Sequence, residues 1–332
     1  MKIGYLGSGV WGFTLAHLLA SKGYDVVSWS IEQNVVDHLN ETKEHPKLPG
    51  HKTSETHSFT TDLKKALTGK DLIVEGVTSA GLRQVFQKVK ETHIPKCPIV
   101  LTSKGIEQNT GLLLSEVLLE VLGEAHKHQI GCISGPSIAP EVLKGLPSSV
   151  VCSGYSSDVM KKIHTAFSTP TFRVYPNPDI NGVELGGAMK NIIAIACGVA
   201  DGLGFGDNTK AALMTRGLHE IRRFATTHGC KSETLNGLSG MGDLCVTCLS
   251  TMSRNYRFGH LIAEGRTPDE AKKEIGMVVE GAYTCLSAMQ LAKKENIDLP
   301  IADAVYKIVY EALAPKEAVK LLLQRMTKEE HL

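Results

Sequence analysis

Short apolar runs alternate with helical patterns through the first half of the chain. Buried strands are predicted at residues 2–6, 25–29, 72–77, 99–103, 130–133 and 149–152. Helical spacing of apolar residues predicts helices between the earlier strands, at residues 14–22, 81–90 and 111–122. Strands that alternate with helices in this way are typical of an α/β fold with a doubly wound parallel sheet.

The pattern becomes helical after residue 180. An apolar helix is predicted over residues 182–199, and an amphipathic helical tail with a charged, frayed end over residues 302–332. The length of 332 residues agrees with two domains of roughly 150 residues each. We therefore predict an α/β domain at residues 1–180 and an all-α domain at residues 181–332.

Three glycines separate the first predicted strand from the first predicted helix. Gly7, Gly9 and Gly12 form a G-x-G-x-x-G pattern in the segment GSGVWG. In this context the pattern predicts a dinucleotide site of the Rossmann type in the α/β domain. Gly7 permits the tight turn, Gly9 lets the backbone approach a pyrophosphate, and Gly12 lets helix and strand pack closely. The N-terminus of the helix then faces the phosphates.

The residues after the second strand leave the choice between NAD and NADP open. NAD sites usually carry an acid at the end of this strand, where it binds the ribose 2′-hydroxyl. Here that position is Ser30, a predicted cofactor contact, and the nearest acid is Glu32. No arginine stands beside Ser30 to bind a 2′-phosphate.

Ligands of doubly wound sheets bind at the carboxyl ends of the strands. The residues that follow the third, fourth and fifth predicted strands there are 78–79, 104–105 and 135–137. Among them, Lys104 suits an anionic substrate, although a solvated surface lysine fits the position equally well.

Lys190 stands among small residues inside the predicted apolar helix. Gly186 and Gly187 precede it by one turn, and Ala194 follows it by one turn. Each glycine costs a helix interior about 1 kcal/mol relative to alanine, so we expect the space beside Lys190 to be used. A buried lysine with a lowered pKa can act as a general base. The alternative is a lysine that extends along the apolar helix to solvent.

Further polar clusters follow in the helical half. Asp243 lies between a tight turn and a helix start, where a plain N-cap is the alternative. Ser253, Arg254 and Asn255 combine a guanidinium suited to phosphate or carboxylate with two hydrogen-bonding side chains. An exposed charged loop is the alternative there. Glu280 is an isolated acid among apolar residues.

Composition argues against several classes of protein. Lys and Arg number 36 and Asp and Glu 35, so the near-zero charge balance does not suit a nucleic-acid or anionic-membrane binder.

Eight dispersed cysteines indicate reduced thiols and a cytoplasmic protein. Cys245 and Cys248 form one CxxC, for which we predict no metal. The N-terminus is not that of a signal peptide, and the most apolar stretch, 192–200, is shorter than the ~20 residues of a membrane span.

Seven stretches make the chain resemble the bacterial type of NAD(P)-dependent glycerol-3-phosphate dehydrogenases. They are GSGVWG (7–12), TSKGIE (102–107), ISGPSIAPE (133–141), NGVELGGAMKNIIAIACGVADGLGFGDN (181–208), LSGMGDLCVTC (238–248), SRNYRFG (253–259) and VVEGAYT (278–284). They follow the family's order and extend over nearly the whole chain. The segment around Lys190 is very specific.

The resemblance implies hydride transfer between NAD(H) or NADP(H) and C2 of sn-glycerol 3-phosphate or dihydroxyacetone phosphate, which supplies glycerol 3-phosphate for phospholipid synthesis. It implies that Lys190 is the general acid/base at the C2 oxygen and that Asp243 binds substrate and orients Lys190. It also implies that Lys104 contacts substrate and cofactor and helps to polarise the carbonyl in catalysis. The other implied substrate contacts are Gly135, Ser137, Ser253, Arg254 and Asn255. The other implied cofactor contacts are Val10, Trp11, Ala139, Arg254, Val278 and Glu280.

Two alternatives remain at this point. Related reductases of the β-hydroxyacid or ketopantoate type act on carboxylates, whereas the GGAMKN and SRN segments together favour phosphate. A non-catalytic dinucleotide-binding redox sensor would be expected to add a nucleic-acid or partner module.

Relatives often carry a basic residue after the second strand, and Ser30-Ile31 here leaves the cofactor preference unresolved. We expect a small-molecule substrate, no nucleic-acid partner, no membrane insertion, and a homodimer as the default oligomer.

Overall fold

A computed structural model describes residues 1–326 and 329–330 of the chain. The first half contains an eight-stranded sheet in the order β3-β2-β1-β4-β5-β6-β7-β8. The strands are β1 (Lys2–Leu6), β2 (Asp25–Trp29), β3 (His57–Thr60), β4 (Leu72–Glu75), β5 (Ile99–Leu101), β6 (Ile130–Ser134), β7 (Ser148–Gly154) and β8 (Phe172–Pro176). The six strands predicted from the sequence are confirmed, and the fold class with them.

Helices cover both faces of this sheet. They are α1 (Val10–Ser21), α2 (Gln33–Thr42), α3 (Leu63–Leu67), α4 (Leu82–Thr92), α5 (Leu114–Leu122), α6 (Ala139–Leu143) and α7 (Ser157–Phe167), with 3₁₀ turns at Ser79–Gly81 and Glu124–Gln129. Side chains alternate between the faces along each strand, so Ile3 and Tyr5 join one apolar cluster and Leu6 joins the other.

The second half is helical, as predicted. Its helices are α8 (Ile180–Gly202), α9 (Asp207–Thr227), α10 (Ser232–Asn236), α11 (Asp243–Leu249), α12 (Arg254–Ala263), α13 (Pro268–Ile275), α14 (Glu280–Glu295), α15 (Pro300–Tyr310) and α16 (Pro315–Leu323), with a π-helical turn at Leu238–Gly242. The predicted boundary between residues 180 and 181 falls at the start of α8, and it stays a prediction.

The sheet differs from the predicted one at its edges. Strands β3 and β8 were not expected, because each is short and carries polar or exposed side chains at an outer position. The expectation of a wholly parallel sheet is wrong at β7, which runs antiparallel to β6. A strand parallel to β6 would require the connecting helix to return the chain to the end of the sheet where β6 begins. Helix α6 packs against α1 and does not make this return.

Helix α8 is the central element of the helical half. By length and composition it is the one helix of the described chain that passes for a membrane span, yet its apolar window is wholly buried inside the protein. Helix α12 packs along α8 with backbone against backbone. A Cβ atom at Gly198 would overlap the carbonyl oxygen of Tyr256, and one at Gly259 would overlap that of Ile195. The two helices therefore cross with their backbones in direct contact, which is possible because neither glycine has a Cβ.

The predicted continuous tail helix is wrong. Helix α15 ends at Tyr310, Ala312 has a positive φ of 53°, and α16 begins with Pro315. Proline is accepted in the first turn of a helix but interrupts one that is already running, so Pro315 starts a new helix. The rest of the predicted tail includes residues 327–328 and 331–332, which lie outside the described residues.

Candidate active site

The glycine-rich loop joins β1 to α1 and has the geometry of a dinucleotide cradle. Gly7 has a φ of 110°, and a Cβ there would stand 2.6 Å from the carbonyl oxygen of Gly76. A Cβ at Gly12 would overlap the carbonyl oxygen of Gly7, whereas one at Gly9 meets no atom within 4 Å. Close packing thus requires Gly7 and Gly12, and open space adjoins Gly9 at the N-terminus of α1. Both features fit a bound pyrophosphate.

Helix α1 begins four residues earlier than the sequence predicted. Val10 and Trp11 therefore lie in its first turn and not in a loop. Both are half-buried: Val10 packs on the apolar cluster that contains Phe13, and Trp11 packs on the cluster that contains Ile3 and Tyr5. The predicted cofactor contact Ala139 begins α6, which packs against α1, so it lies on the side of the glycine loop.

The end of β2 carries no charge that selects between NAD and NADP. Ser30 follows the strand, and its hydroxyl accepts a hydrogen bond from the backbone N–H of Glu32 at 3.2 Å. Glu32 itself precedes the first residue of α2. Between them Ile31 is 72 % exposed. The cofactor preference therefore stays open.

Three predicted catalytic side chains meet in one cluster. Lys190 of α8 donates to Asp243 Oδ1, and Lys104, after β5, donates to Asp243 Oδ2 at 2.5 Å. Asp243 begins α11 and is not a plain N-cap, because its carboxylate is bound by these two ammonium groups. The side chains of Lys190 and Asp243 are 7 % and 2 % exposed, while Lys104 is 20 % exposed and opens the cluster to the cleft.

Burial and charge move the pKa values of this cluster. Burial lowers the pKa of Lys190 to about 8; the ammonium group of Lys104 adds to the shift and Asp243 opposes it. Burial alone would raise the pKa of Asp243, but Lys104 and Lys190 outweigh it and hold that pKa below its usual value. A lysine with a pKa near neutrality can take up and release a proton under physiological conditions.

Thr247 completes the cluster and was not selected from the sequence. Its hydroxyl accepts a hydrogen bond from Lys190 Nζ at 2.6 Å and donates to the carbonyl oxygen of Asp243 at 2.6 Å. Thr247 stands four residues after Asp243 on α11, so helical spacing places both on the face toward Lys190. That spacing was the signal available in the sequence.

The loop after β6 lies on the other side of Lys104. The carbonyl oxygen of Gly135 is 3.4 Å from Lys104 Nζ and accepts a hydrogen bond from the Ser137 hydroxyl at 2.9 Å. Gly135 has a φ of 140°, and a Cβ there would press on the Val150 backbone. The predicted substrate contacts Gly135 and Ser137 are thus brought to the lysine cluster.

The start of α12 forms a third wall. Asn255 Nδ2 donates to Asn191 Oδ1 at 2.9 Å, which places Asn255 beside the residue that follows Lys190. Arg254 donates from Nη1 to the carbonyl oxygen of Val278 at 3.0 Å. Burial lowers the pKa of the Arg254 guanidinium. Ser253 caps α12 by accepting from a backbone N–H, so part of its hydrogen-bonding capacity serves the helix.

Glu280 links the helical half to the sheet. Its carboxylate accepts hydrogen bonds from the hydroxyl and the backbone N–H of Ser79, which follows β4. Burial raises the pKa of Glu280, and Ser79 and Arg254 oppose that shift. Ser79 also packs on Gly105, next to Lys104. The predicted cofactor contacts Val278 and Glu280 therefore stand beside the ends of β4 and β5.

The two cysteines of the CxxC pair have different surroundings. Cys248 is buried in the helical core, and the Cys245 sulfur is 3.5 Å from that of Met241. Within the ranges that the structure covers, no group of three or more His, Cys, Asp or Glu residues is arranged to hold a metal ion.

Comparison with known proteins agrees with this geometry. The N-terminal profile of NAD-dependent glycerol-3-phosphate dehydrogenase matches residues 2–160, and the C-terminal profile matches residues 179–320. The chain is 59% identical over 331 residues to a glycerol-3-phosphate dehydrogenase [NAD(P)+] of Protochlamydia amoebophila, covering 100% of this chain and 99% of that one. It is 60% identical over 330 residues to that of Chlamydia pneumoniae, covering 99% of each.

Solved structures give the same result. A glycerol-3-phosphate dehydrogenase from Coxiella burnetii superposes with a TM-score of 0.93 at 40% identity, covering 98% of this chain and 99% of that one. A ketopantoate reductase from Ralstonia eutropha gives a TM-score of 0.62 at 13% identity, covering 96% and 100%, which shows a shared fold alone. Since both profiles match in order along almost the whole chain, the protein belongs to the NAD-dependent glycerol-3-phosphate dehydrogenase family.

Proposed function

We propose that this protein interconverts dihydroxyacetone phosphate and sn-glycerol 3-phosphate with NAD(H) or NADP(H). The observation that carries the proposal is the carboxylate of Asp243 held between Lys104 and Lys190, at the strand edge that also bears the glycine loop. The nicotinamide cofactor supplies or accepts the hydride at C2 of the substrate. The protein contributes the binding, the orientation and the proton.

Lys190 is the proposed general acid and base. During ketone reduction, negative charge develops on the C2 oxygen, and the ammonium group of Lys190 stabilises it and then donates a proton. In the reverse direction the neutral amine takes the hydroxyl proton. Both forms are populated near pH 8, since burial lowers the pKa of Lys190 to about that value.

Asp243 and Thr247 are the proposed positioning groups for this step. They bind Lys190 Nζ from α11, so the amine has a fixed direction relative to α8. Asp243 also partly neutralises two lysines that would otherwise repel each other. The substrate side of the cluster is supplied by Lys104, with Gly135 and Ser137 next to it.

The substrate phosphate is proposed to bind at the start of α12. Arg254 can bind a phosphate through two N–H groups, and Ser253 and Asn255 flank it. Lys104 adds a second positive charge toward the dianionic substrate. A carboxylate ketone is the competing substrate class. Arginine binds carboxylates as well as phosphates through paired N–H groups, so direct assay is needed to separate the two substrate classes.

The assay is oxidation of NADH and of NADPH, each with dihydroxyacetone phosphate, and in parallel with ketopantoate and a short β-keto acid. We expect turnover with dihydroxyacetone phosphate, and the ratio of kcat/KM for the two cofactors resolves what Ser30 and Ile31 leave open. A folded protein that binds cofactor but turns over none of the ketones would be a non-catalytic dinucleotide binder, contrary to the proposal.

We further propose a cytoplasmic homodimer that supplies glycerol 3-phosphate for phospholipid synthesis. The eight cysteines are all unpaired, which suits a reducing compartment. Three exposed apolar side chains lie on α16 and just after it, among them Leu323, which is 81 % exposed, and Met326, which is 89 % exposed. Light scattering that gives twice the chain mass of 35.9 kDa would support the dimer, and the single chain mass would refute it.

A further inference from the structure

The two adjacent glycines of α8 have different neighbours. A Cβ atom at Gly187 would stand 2.7 Å from the Ser134 hydroxyl and 3.4 Å from Cδ of Lys104, so the lysine stem lies against this glycine. A Cβ atom at Gly186 would stand 2.7 Å from the backbone carbonyl oxygen of Ser239. A hydroxyl can rotate and a lysine stem can bend, whereas a carbonyl oxygen moves only with its backbone. Gly186 is therefore the position where an added side chain would displace the main chain.

Ser239 belongs to the π-helical turn that leads into α11. In this turn the N–H of Gly242 donates a hydrogen bond to the carbonyl oxygen of Gly237 at 3.1 Å. Asp243 follows without a break, since its φ and ψ are −71° and −32° and its N–H donates to the carbonyl oxygen of Leu238. A displacement of Ser239 is therefore passed along a hydrogen-bonded segment to Asp243.

The spacing of contacts is the same on both sides of this junction. Gly186 and Lys190 are four residues apart on α8, and Ser239 and Asp243 are four residues apart on the facing segment. The first pair of positions meets backbone to glycine, and the second pair meets as the ammonium group that donates to Asp243 Oδ1. Thr247 lies one further turn along α11 and accepts from the same ammonium group at 2.6 Å. The glycine contact thus sets the distance available to the ion pair.

The turn has little room to yield locally. A Cβ atom at Gly240 would overlap the carbonyl oxygen of Leu235 in α10, so the turn is also in backbone contact with that helix. The Leu235 side chain itself lies 3.2 Å from the Cβ position at Gly186. Because the turn touches both α8 and α10, an added methyl group at Gly186 would displace the segment that carries Asp243 as a unit.

We propose that Gly186 is a positioning residue of the dehydrogenase reaction: its lack of a side chain lets the turn before α11 rest on α8 and so brings the Asp243 carboxylate to Lys190. A side chain at this position moves the carboxylate away from the amine. Lys190 then loses both its fixed direction and part of its ion pair. This inference rests on the proposed dehydrogenase function, in which Lys190 is the acid and base.

The first test is Gly186→Ala. We expect kcat for reduction of dihydroxyacetone phosphate to fall about 10- to 10²-fold, since a misplacement of about 1 Å has effects of this size. The dissociation constant of NADH should stay within about twofold, because the glycine loop lies in the other half of the chain. Alanine favours a helix interior over glycine, so the variant should fold, and its melting temperature checks this.

The pH profile of kcat reports whether Asp243 has moved. The titratable groups that face Lys190 are Asp243 and Cys248 of α11 and Lys104 after β5. The carboxylate opposes the lowering of the pKa of Lys190 by burial, so its retreat should lower that pKa further. In Gly186→Ala the alkaline loss of reduction should therefore move to lower pH. A role of Gly186 in packing alone would leave the profile in place.

Asp243→Glu tests the same spacing without a change at Gly186, and it decides the question even if Gly186→Ala does not fold. The longer side chain does not fit the fixed distance to Lys190, so kcat should fall about tenfold or more. In Gly186→Ala/Asp243→Glu the two changes compensate. The double variant should have a kcat about threefold or more above that of either single variant, which is a coupling that independent effects would not give.

Gly217→Ala is the matched control. Gly217 lies in the interior of α9, and a Cβ atom there would stand 2.7 Å from the side chain of Ile193 on α8. The added methyl group has the same size, the same helical setting and the same closest distance as in Gly186→Ala. It meets a side chain of α8 and not the turn before α11. Its kcat and pH profile should therefore equal those of the unmodified protein.

Four results would overturn the inference. They are a Gly186→Ala variant whose kcat or pH profile is unchanged, an Asp243→Glu variant with undiminished kcat, a double variant without recovery, and a Gly217→Ala variant that shifts the profile as Gly186→Ala does. In each case, continued reduction of dihydroxyacetone phosphate by the unmodified protein leaves the proposed function intact. An unmodified protein that binds NADH and reduces no dihydroxyacetone phosphate would instead reject the proposed function.

Discussion

Lys190 and Asp243 form a buried ion pair that joins α8 to α11. A buried ion pair is weak support for stability, because desolvation of the two charges offsets much of their attraction. The second carboxylate oxygen of Asp243 binds Lys104, so one negative charge is paired with two positive charges. This excess of positive charge is directed toward the cleft, where an anionic substrate restores the balance.

Replacing Lys190 removes the proposed acid and base. In Lys190→Met we expect kcat for reduction of dihydroxyacetone phosphate to fall about 10²–10⁴-fold, the usual contribution of a positioned proton donor. The dissociation constant of NADH should change little. Lys210→Met is the control, since Lys210 is a lysine that pairs with Asp201 and Asp207 away from the cluster. A loss below tenfold would contradict the assignment.

The two directions of the reaction should respond oppositely to pH. Reduction needs protonated Lys190, so its kcat falls as pH rises through about 8, the lowered pKa of that side chain. Oxidation of glycerol 3-phosphate needs the neutral amine, so its kcat rises over the same interval. Measuring kcat against pH at saturating substrate, in each direction of the reaction, tests both expectations. Parallel profiles in the two directions would exclude Lys190 as the titrating group.

Asp243→Asn should shift the titration of Lys190. Without the carboxylate, Lys104 and burial act on Lys190 unopposed, so its pKa falls below about 8 and the alkaline loss of reduction moves to lower pH. We also expect kcat to fall about 10²-fold, because the amine loses its direction. Thr247→Val removes a hydrogen bond without removing charge. It should reduce kcat while shifting the pH profile much less.

Two glycines of the cofactor loop should separate folding from binding. Gly7→Ala places a methyl group 2.6 Å from the Gly76 carbonyl oxygen at a φ of 110°, so the melting temperature and NADH affinity should both fall. Gly9→Ala meets no protein atom within 4 Å and has an ordinary φ of −71°. It should keep the melting temperature and lose NADH affinity about tenfold. Equal affinity in Gly9→Ala would place the pyrophosphate elsewhere.

The buried side chain of His57 should lower the free energy of unfolding at acidic pH. Its two ring nitrogens bond Ser28 and Thr53 at 2.8 and 2.9 Å, and burial lowers its pKa to about 3. Between pH 6.5 and that value the unfolded chain binds a proton that the folded chain does not. Stability is therefore lost as pH falls, by about 1.4 kcal/mol per pH unit relative to His57→Gln. Urea unfolding of both proteins at several pH values measures the difference. Parallel curves would contradict it.

The sequence predicted the parts of the site that follow from local rules. Gly7, Gly9 and Gly12 stand between strand and helix, and Lys190 stands among small residues in an apolar helix, so each was visible along the chain. Thr247 was not selected, because its significance depends on which distant side chain it meets. It meets Lys190, which lies on another helix.

The errors in the fold have similar causes. Alternating strands and helices identify a doubly wound sheet, but they carry no information on direction, so antiparallel β7 was not foreseen. Strand β3 has three polar residues among four and lies at the edge of the sheet, so it lacks the apolar signal of a central strand. The break before α16 was marked by Pro315 and could have been predicted from it.

The contact between α8 and α12 bears on which substrates the fold accepts. Lys190 lies on α8, and Arg254 begins α12. Because Gly198 and Gly259 bring the two backbones together, no side chain between them can adjust the distance from the proposed proton donor to the proposed phosphate-binding residue. If Lys190 and Arg254 have these proposed roles, the length of an acceptable substrate is set by a helix crossing remote from the reacting carbon. In a protein that has this crossing, adaptation to a longer substrate requires a change in backbone spacing, whereas exchange of the lining residues alone alters only the chemistry at its ends.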